Sequence, residues 1–439
     1  MRRFALILAS CGFLAACSGD NWFGDTPTPP LPGKRISILT QSKTLEADAG
    51  NKGPIRLPPM EPIADWPQAG GSPQHDPRHL ALSSTPHRVW DTSIGAGAGK
   101  RHAFLTQPVV AEGKVFAMDS ESVVSAYGLK DGSRLWKIDL APDDDSGDGS
   151  YGGGLAFDGG RIYATTQYAE LVAIDAANGK VLWRHALPSP VRGAPTVRNG
   201  RILLVTVDNA TLALATDNGH ELWHHNGISE MASMLGGTSP AADGNTVLSP
   251  YSSGELFALR IENGTVQWSE VISTLKRTDQ VATLTDIRGL PVIDHGRVYV
   301  AGNSDIFAAV DLRTGRRVWD KEVGSIQTPW VAGDFVYLVT NNSEIACFET
   351  ETGQVRWVKP LQRWDDPEDK SGRLVWTGPV LAGGRLIVVS SVGEVLFLSP
   401  QTGEVMSKDE LPDGVTITPI VADKTLLFVT TEGDLLAYR

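Results

Sequence analysis

Cysteine is scarce: Cys11, Cys17 and Cys347 are the only three in 439 residues. A disulfide-stapled fold is therefore excluded, and stability has to come from packing. There is no adjacent cysteine pair and no Cys-x-x-Cys-His haem-attachment motif. The nine histidines offer no zinc-ligand spacing, since the neighbours His224 and His225 would point to opposite faces of a strand. Neither a Gly-x-Ser-x-Gly elbow nor a phosphate loop occurs. Basic side chains are also in deficit, 39 against 51 acidic for a net charge of −12. That balance disfavours nucleic acid and adhesion to anionic lipid through a basic patch. What is plentiful is glycine, 46 residues without a Gly-X-Y period, against an average near about 7% of residues. The surplus implies many turns.

The first residues read as a secretory signal, with Arg2 and Arg3 ahead of an apolar run over 4–16 that ends in small residues. Its 13 residues fall short of the roughly 20 that cross a bilayer as a helix. Leu14-Ala15-Ala16-Cys17 resembles a bacterial lipobox, which implies cleavage after residue 16 and lipid attachment at Cys17. The remaining chain would carry 37 basic and 51 acidic side chains. It would hold a capped Cys17 and a lone Cys347, so no internal disulfide. Ser18, where aspartate is the usual inner-membrane retention signal, favours the outer membrane. Residues 17–62 are Pro-rich and read as a tether. They contain a strand-like piece, Arg35-Ile36-Ser37-Ile38-Leu39, that could pair with a sheet edge or a partner.

Length alone suggests two or three domains, but a repeat takes precedence. An apolar strand, a turn, a glycine and a tryptophan four residues later recur as Gly132/Trp136, Gly179/Trp183, Gly219/Trp223, Gly264/Trp268, Gly315/Trp319 and Gly353/Trp357. A seventh copy has Gly403 with Ser407 in the tryptophan slot. The glycines are 47, 40, 45, 51, 38 and 50 residues apart, the size of a four-stranded propeller blade. Asn-Gly and Thr-Gly tips supply positive φ for tight hairpins. The tryptophan after each tip can fill the wedge between blades. The last segment, 417–439, holds three strands, and His87-Arg88-Val89-Trp90-Asp91 has the character of the missing outer strand. The expectation is an all-β, eight-bladed β-propeller over 63–439, one blade closed by both chain ends. Within it the hairpin tips lie on one rim. The long connections, roughly 138–152, 224–236, 269–290 and 358–376, lie on the other, marking a candidate binding face.

The repeats resemble the quinoprotein-type pattern Ala-x-Asp-x-x-Thr-Gly-x-x-x-Trp, matched by Ala173, Asp175, Gly179 and Trp183 with Asn178 in the threonine slot. A lipobox followed by an acidic propeller of this repeat resembles the BamB family, lipoproteins of the outer-membrane β-barrel assembly (BAM) machinery. The resemblance implies a noncatalytic, periplasm-facing scaffold without cofactor, lipid-anchored in the outer membrane. Its implied partners are BamA, other BAM subunits and unfolded outer-membrane proteins. It places partner contacts in loops of the third to fifth blades: Leu284, Asp286 and Arg288 in Leu284-Thr285-Asp286-Ile287-Arg288, and Met234 and Leu235 in Ala232-Ser233-Met234-Leu235-Gly236-Gly237. Asp286 could equally serve its own loop. A periplasmic quinone (PQQ)-dependent dehydrogenase and a generic lipid-anchored binding propeller are the alternatives, since quinoprotein dehydrogenases share the repeat. The acidic run 143–149 suggests calcium, but the twelfth loop position falls on Leu155 instead of a bidentate glutamate, so it reads as a solvated loop.

Overall fold

The computed structural model describes residues 45–50, 53–99, 106–142, 152–191, 193–230, 236–273, 285–304 and 306–439. Cys17, Met234, Leu235, Leu284 and the acidic run 143–149 lie outside them. The strands form eight four-stranded antiparallel sheets, each a meander in chain order except the last. Blades 1 to 7 span 109–139, 154–186, 196–226, 241–271, 292–321, 330–360 and 376–410. Blade 8 combines Ile420–Ala422, Thr425–Val429 and Asp434–Tyr438 with Arg88–Ser93, so both ends of the propeller share one sheet as expected. His87 and Arg439 exchange backbone hydrogen bonds of 2.9 and 3.0 Å at that junction.

The repeat residues have defined jobs. The glycine of each hairpin has φ between +69° and +76°, and an added Cβ would meet the tryptophan ring of the preceding blade at 2.6–2.8 Å. Each outer tryptophan therefore lies flat on the next blade's turn, and it needs glycine both for backbone conformation and for room. Except in Trp183, the indole N–H then donates to a carbonyl of that turn, as Trp136 does to Ala176 (3.2 Å), Trp223 to Ile261 (2.9 Å) and Trp319 to Thr350 (2.9 Å). Within its own blade each tryptophan faces a small residue, as in Ala126↔Trp136, Ala173↔Trp183 and Cys347↔Trp357. Blade 7 reverses the pair, with Phe397 opposite Ser407. The neighbouring Met406 is 60% exposed and does not fill that slot.

Two features depart from the sequence expectation. Residues 45–62 of the expected tether lie on the propeller wherever they are described. Asp48 exchanges hydrogen bonds with Val355, and the His79 ring bonds to the Pro58 carbonyl at 2.8 Å. Ile55, Leu57 and Ile63 pack against the core. The long 358–376 connection carries a small hairpin of its own, Trp364–Asp366 with Ser371–Arg373. Arg363 and Arg373 pin it to the carbonyls of Asn342 and Asn341.

Candidate functional site: an axial pocket closed by a collar

The eight innermost strands surround an axis, and their inward edges leave backbone N–H groups that must find partners. The segment 63–80 supplies them by running once around the ring. Asp423 N–H of blade 8 donates to Ile63 O, and Val110 of blade 1 pairs with Trp66 in both directions (2.7 and 2.8 Å). Phe157 of blade 2 donates to Pro67 O, and Val197 of blade 3 to the Gln68 side-chain oxygen. Ala242 and Ile293 of blades 4 and 5 donate to the carbonyls of Pro73 and Gln74. Trp330 of blade 6 donates its indole N–H to Arg78 O at 2.6 Å, and Leu80 pairs with Leu381 and Gly383 of blade 7. Apart from Trp330, which begins its strand and reaches the collar with its side chain, the contacted positions lie near the turn between the first and second strands. The collar therefore closes the axis at the hairpin rim.

The other end of the axis is a pocket of ≈ 200 Å³. Trp66, Gly70 and His75 of the collar form its floor, and residues entering each innermost strand form its wall. Many of these are glycine because neighbouring blades meet there. A Cβ on Gly154 would stand 2.4 Å from Ala194, one on Gly193 2.0 Å from Thr238 O, and one on Gly289 2.4 Å from Gln327 O. The wall is thus largely backbone, interrupted by Thr106, Gln107, Ser239, Thr377, Thr416 and Thr418.

Its electrostatics are sparse. Among the described lining residues no carboxylate appears, and the ionisable groups are His75 and Arg288. His75 is buried and its Nδ1 bonds to the Pro291 carbonyl at 2.8 Å. Burial lowers its pKa to about 4, only partly opposed by that bond, so the ring is neutral at ordinary pH. Burial also lowers the pKa of Arg288, with the Asp286 charge opposing.

The sequence-derived contact residues divide accordingly. Asp286 is 6% exposed and its carbonyl accepts the Asn303 N–H at 2.9 Å, so it sits beneath the loop surface. Arg288 is half-buried, lines the axial pocket and packs on Gly236, whose added Cβ would be 2.7 Å from its Nε. Both also line a smaller cleft beside Thr206, Asn209 and Ser252. His224 and His225 do diverge, one pairing with exposed Glu221, the other stacking on Tyr251. Sequence reasoning missed His75, Thr377 and the whole collar, because 63–80 has neither strand alternation nor the blade repeat.

A closed eight-bladed propeller with a plugged, backbone-walled axis and enlarged loops on one rim is the class of fold that the strands define. The chain belongs to the family described as outer membrane protein assembly factor BamB, whose profile matches residues 120–359 and 362–439. Proteins of that description from Salmonella typhimurium and Escherichia coli K12 are 28% and 27% identical to it, each match covering 80% of this chain and 88% of the relative. The crystal structure of BamB from Moraxella catarrhalis superposes with a TM-score of 0.68 at 20% identity, covering 81% of this chain and all of that one. A europium-containing methanol dehydrogenase also reaches 0.68, at 14% identity over 85% of this chain and 98% of its own, a likeness of fold alone. The axis does not fit the metal-bound quinone that the enzyme relatives' fold suggests. A multivalent cation there needs carboxylates to offset its charge, and the described lining offers only backbone, hydroxyl and amide oxygens. Among the described residues no group of three His, Cys, Asp or Glu side chains is placed to hold a metal.

Proposed function

We propose that this chain is a noncatalytic, lipid-anchored scaffold of outer-membrane protein assembly that docks on BamA through the rim bearing the inter-blade loops. Family membership over both matched segments carries the reading. The geometry supports it in two ways. The enlarged connections of blades 1, 3, 4 and 6 all emerge on one rim, leaving the other to short hairpins and the collar. Ile228 and Val392, 60% and 47% exposed, are apolar side chains on the loop rim that a partner could cover. Asp286 and Arg288 would shape this face from beneath, while Met234, Leu235 and Leu284 would meet the partner. Anchoring would come from lipid on Cys17; no helix among the described residues is long and apolar enough to cross a membrane.

Detergent extracts of cells carrying the tagged full chain test this. BamA should be retained on the bait, and Cys17→Ala should move the bait from membrane to soluble fraction without unfolding it. Loss of BamA from the captured material, together with a quinone absorption band in the purified protein, would overturn the scaffold reading.

A further inference from the structure

The axial pocket holds polar groups that the protein itself leaves unserved. His75, Thr106 and Thr377 all line the pocket, and each carries a polar atom (Nε2, Oγ1 and Oγ1) that is buried and has no hydrogen-bond partner within the protein. A buried polar atom without a partner carries a desolvation cost, so three in one cavity point to something that completes them. Their chemistry restricts what that is. The Pro291 carbonyl takes the His75 Nδ1 proton, which leaves Nε2 as an acceptor that needs a donor. The two threonine hydroxyls can donate or accept. A ligand made of hydroxyl groups meets all three demands at once.

Other observations narrow the class. A cationic ligand would find no carboxylate among the described lining residues. Trp66 and Trp330 line the same cavity with their indole N–H groups already engaged, by Gln107 and by the Arg78 carbonyl, so their ring surfaces remain for apolar C–H faces. The cavity of ≈ 200 Å³ is smaller than the roughly 300–1,000 Å³ of a drug-sized site, which limits the occupant to about one sugar ring. The pocket is open only toward the loop rim, because the collar seals the opposite end.

We infer that the axial pocket is a binding site for a non-cationic, polyhydroxylated ligand of monosaccharide size, held by His75 Nε2 and the hydroxyls of Thr106 and Thr377. The site is independent of docking on BamA. Its ligand could be a free polyol or sugar, or a single sugar unit of a larger glycan entering from the loop rim.

Isothermal titration of the purified full chain with glucose, N-acetylglucosamine and glycerol tests this, followed by crystals grown with the tightest binder. Saturable one-to-one binding of at least one probe is expected, with the ligand beside His75 in the crystal. Thr377→Val keeps the side-chain shape and removes the hydroxyl, and should weaken binding about 5- to 10-fold while the melting temperature of the unliganded protein stays at or above that of the wild type. A disaccharide carrying the same unit separates the two sources: equal or tighter binding assigns the site to a glycan end, and loss of binding assigns it to a free small molecule. Absence of binding by every probe, binding indifferent to Thr377→Val, or crystals showing only water in the pocket would overturn the inference. BamA capture by Thr377→Val should equal that of the wild type, which keeps this result distinct from the docking test.

Discussion

Ser407 and Trp319 occupy the same slot of the repeat and have opposite environments. Trp319 is 8% exposed, lies on Gly353 of the next blade and donates to Thr350 O. Ser407 is exposed, because the blade that follows it is the one whose outer strand comes from elsewhere in the chain; no hairpin joins Tyr438 to Arg88. Phe397 opposite Ser407 restores the volume, and the Arg385 guanidinium lies over its ring at 4.9 Å. Trp319→Ser should therefore cost about 3–5 kcal/mol in denaturant unfolding. Ser407→Trp should change stability by no more than about 0.5 kcal/mol, since no turn awaits the ring. A large gain from Ser407→Trp would show that the slot, and not the docking turn, sets the energy. Trp183 provides a finer check. Its indole N–H has no partner, so replacing it by phenylalanine should cost about 1 kcal/mol less than Trp319→Phe.

At the scale of elements, the collar decides how the axis is sealed, and it contains the strongest pH dependence. The Asp76 side chain is 6% exposed. Burial, and then the neighbouring Asp294 charge, raise its pKa to about 7, against the pull of Arg78 and His295. A carboxyl that titrates higher in the folded protein than in the unfolded chain contributes most at low pH, and that contribution is lost as pH rises from about 4 through 7. His75 beside it is shifted downward, so its contribution is lost as pH falls from about 6.5 toward 4. The two slopes oppose each other across this window. Asp76→Asn removes one of them. It should match the wild type near pH 4 and exceed it by roughly 1–3 kcal/mol at pH 8, read from denaturant midpoints. A constant difference across that range would show that Asp76 ionises normally.

For the molecule as a whole, the ring was legible in the sequence because its determinants recur: glycine at a fixed offset from tryptophan, with a small residue opposite. The closing strand was legible because Trp90 repeats the outer-strand pattern and likewise stacks on a glycine, Gly132. The collar was not, because its contacts are mostly backbone carbonyls of an aperiodic segment meeting strands up to several hundred residues away. The glycine surplus was only partly assigned by reading hairpins. A second set, including Gly154, Gly193 and Gly289, is imposed by blades converging on the axis, which no local pattern reveals. Of the residues proposed to touch a partner, Asp286 shows how far a loop motif reaches: the sequence can place it in an inter-blade loop but not show that it is buried there. The rim proposed for docking is set by topology, since every inter-blade connection returns to the side where the innermost strands begin. The most direct measurement is site-specific photo-crosslinking in intact cells, with the reactive group at Ile228 on the loop rim and at Asn178 on a hairpin tip. An adduct with BamA from position 228 and none from 178 is expected; adducts from 178 alone, or from neither position, would contradict docking through the loop rim.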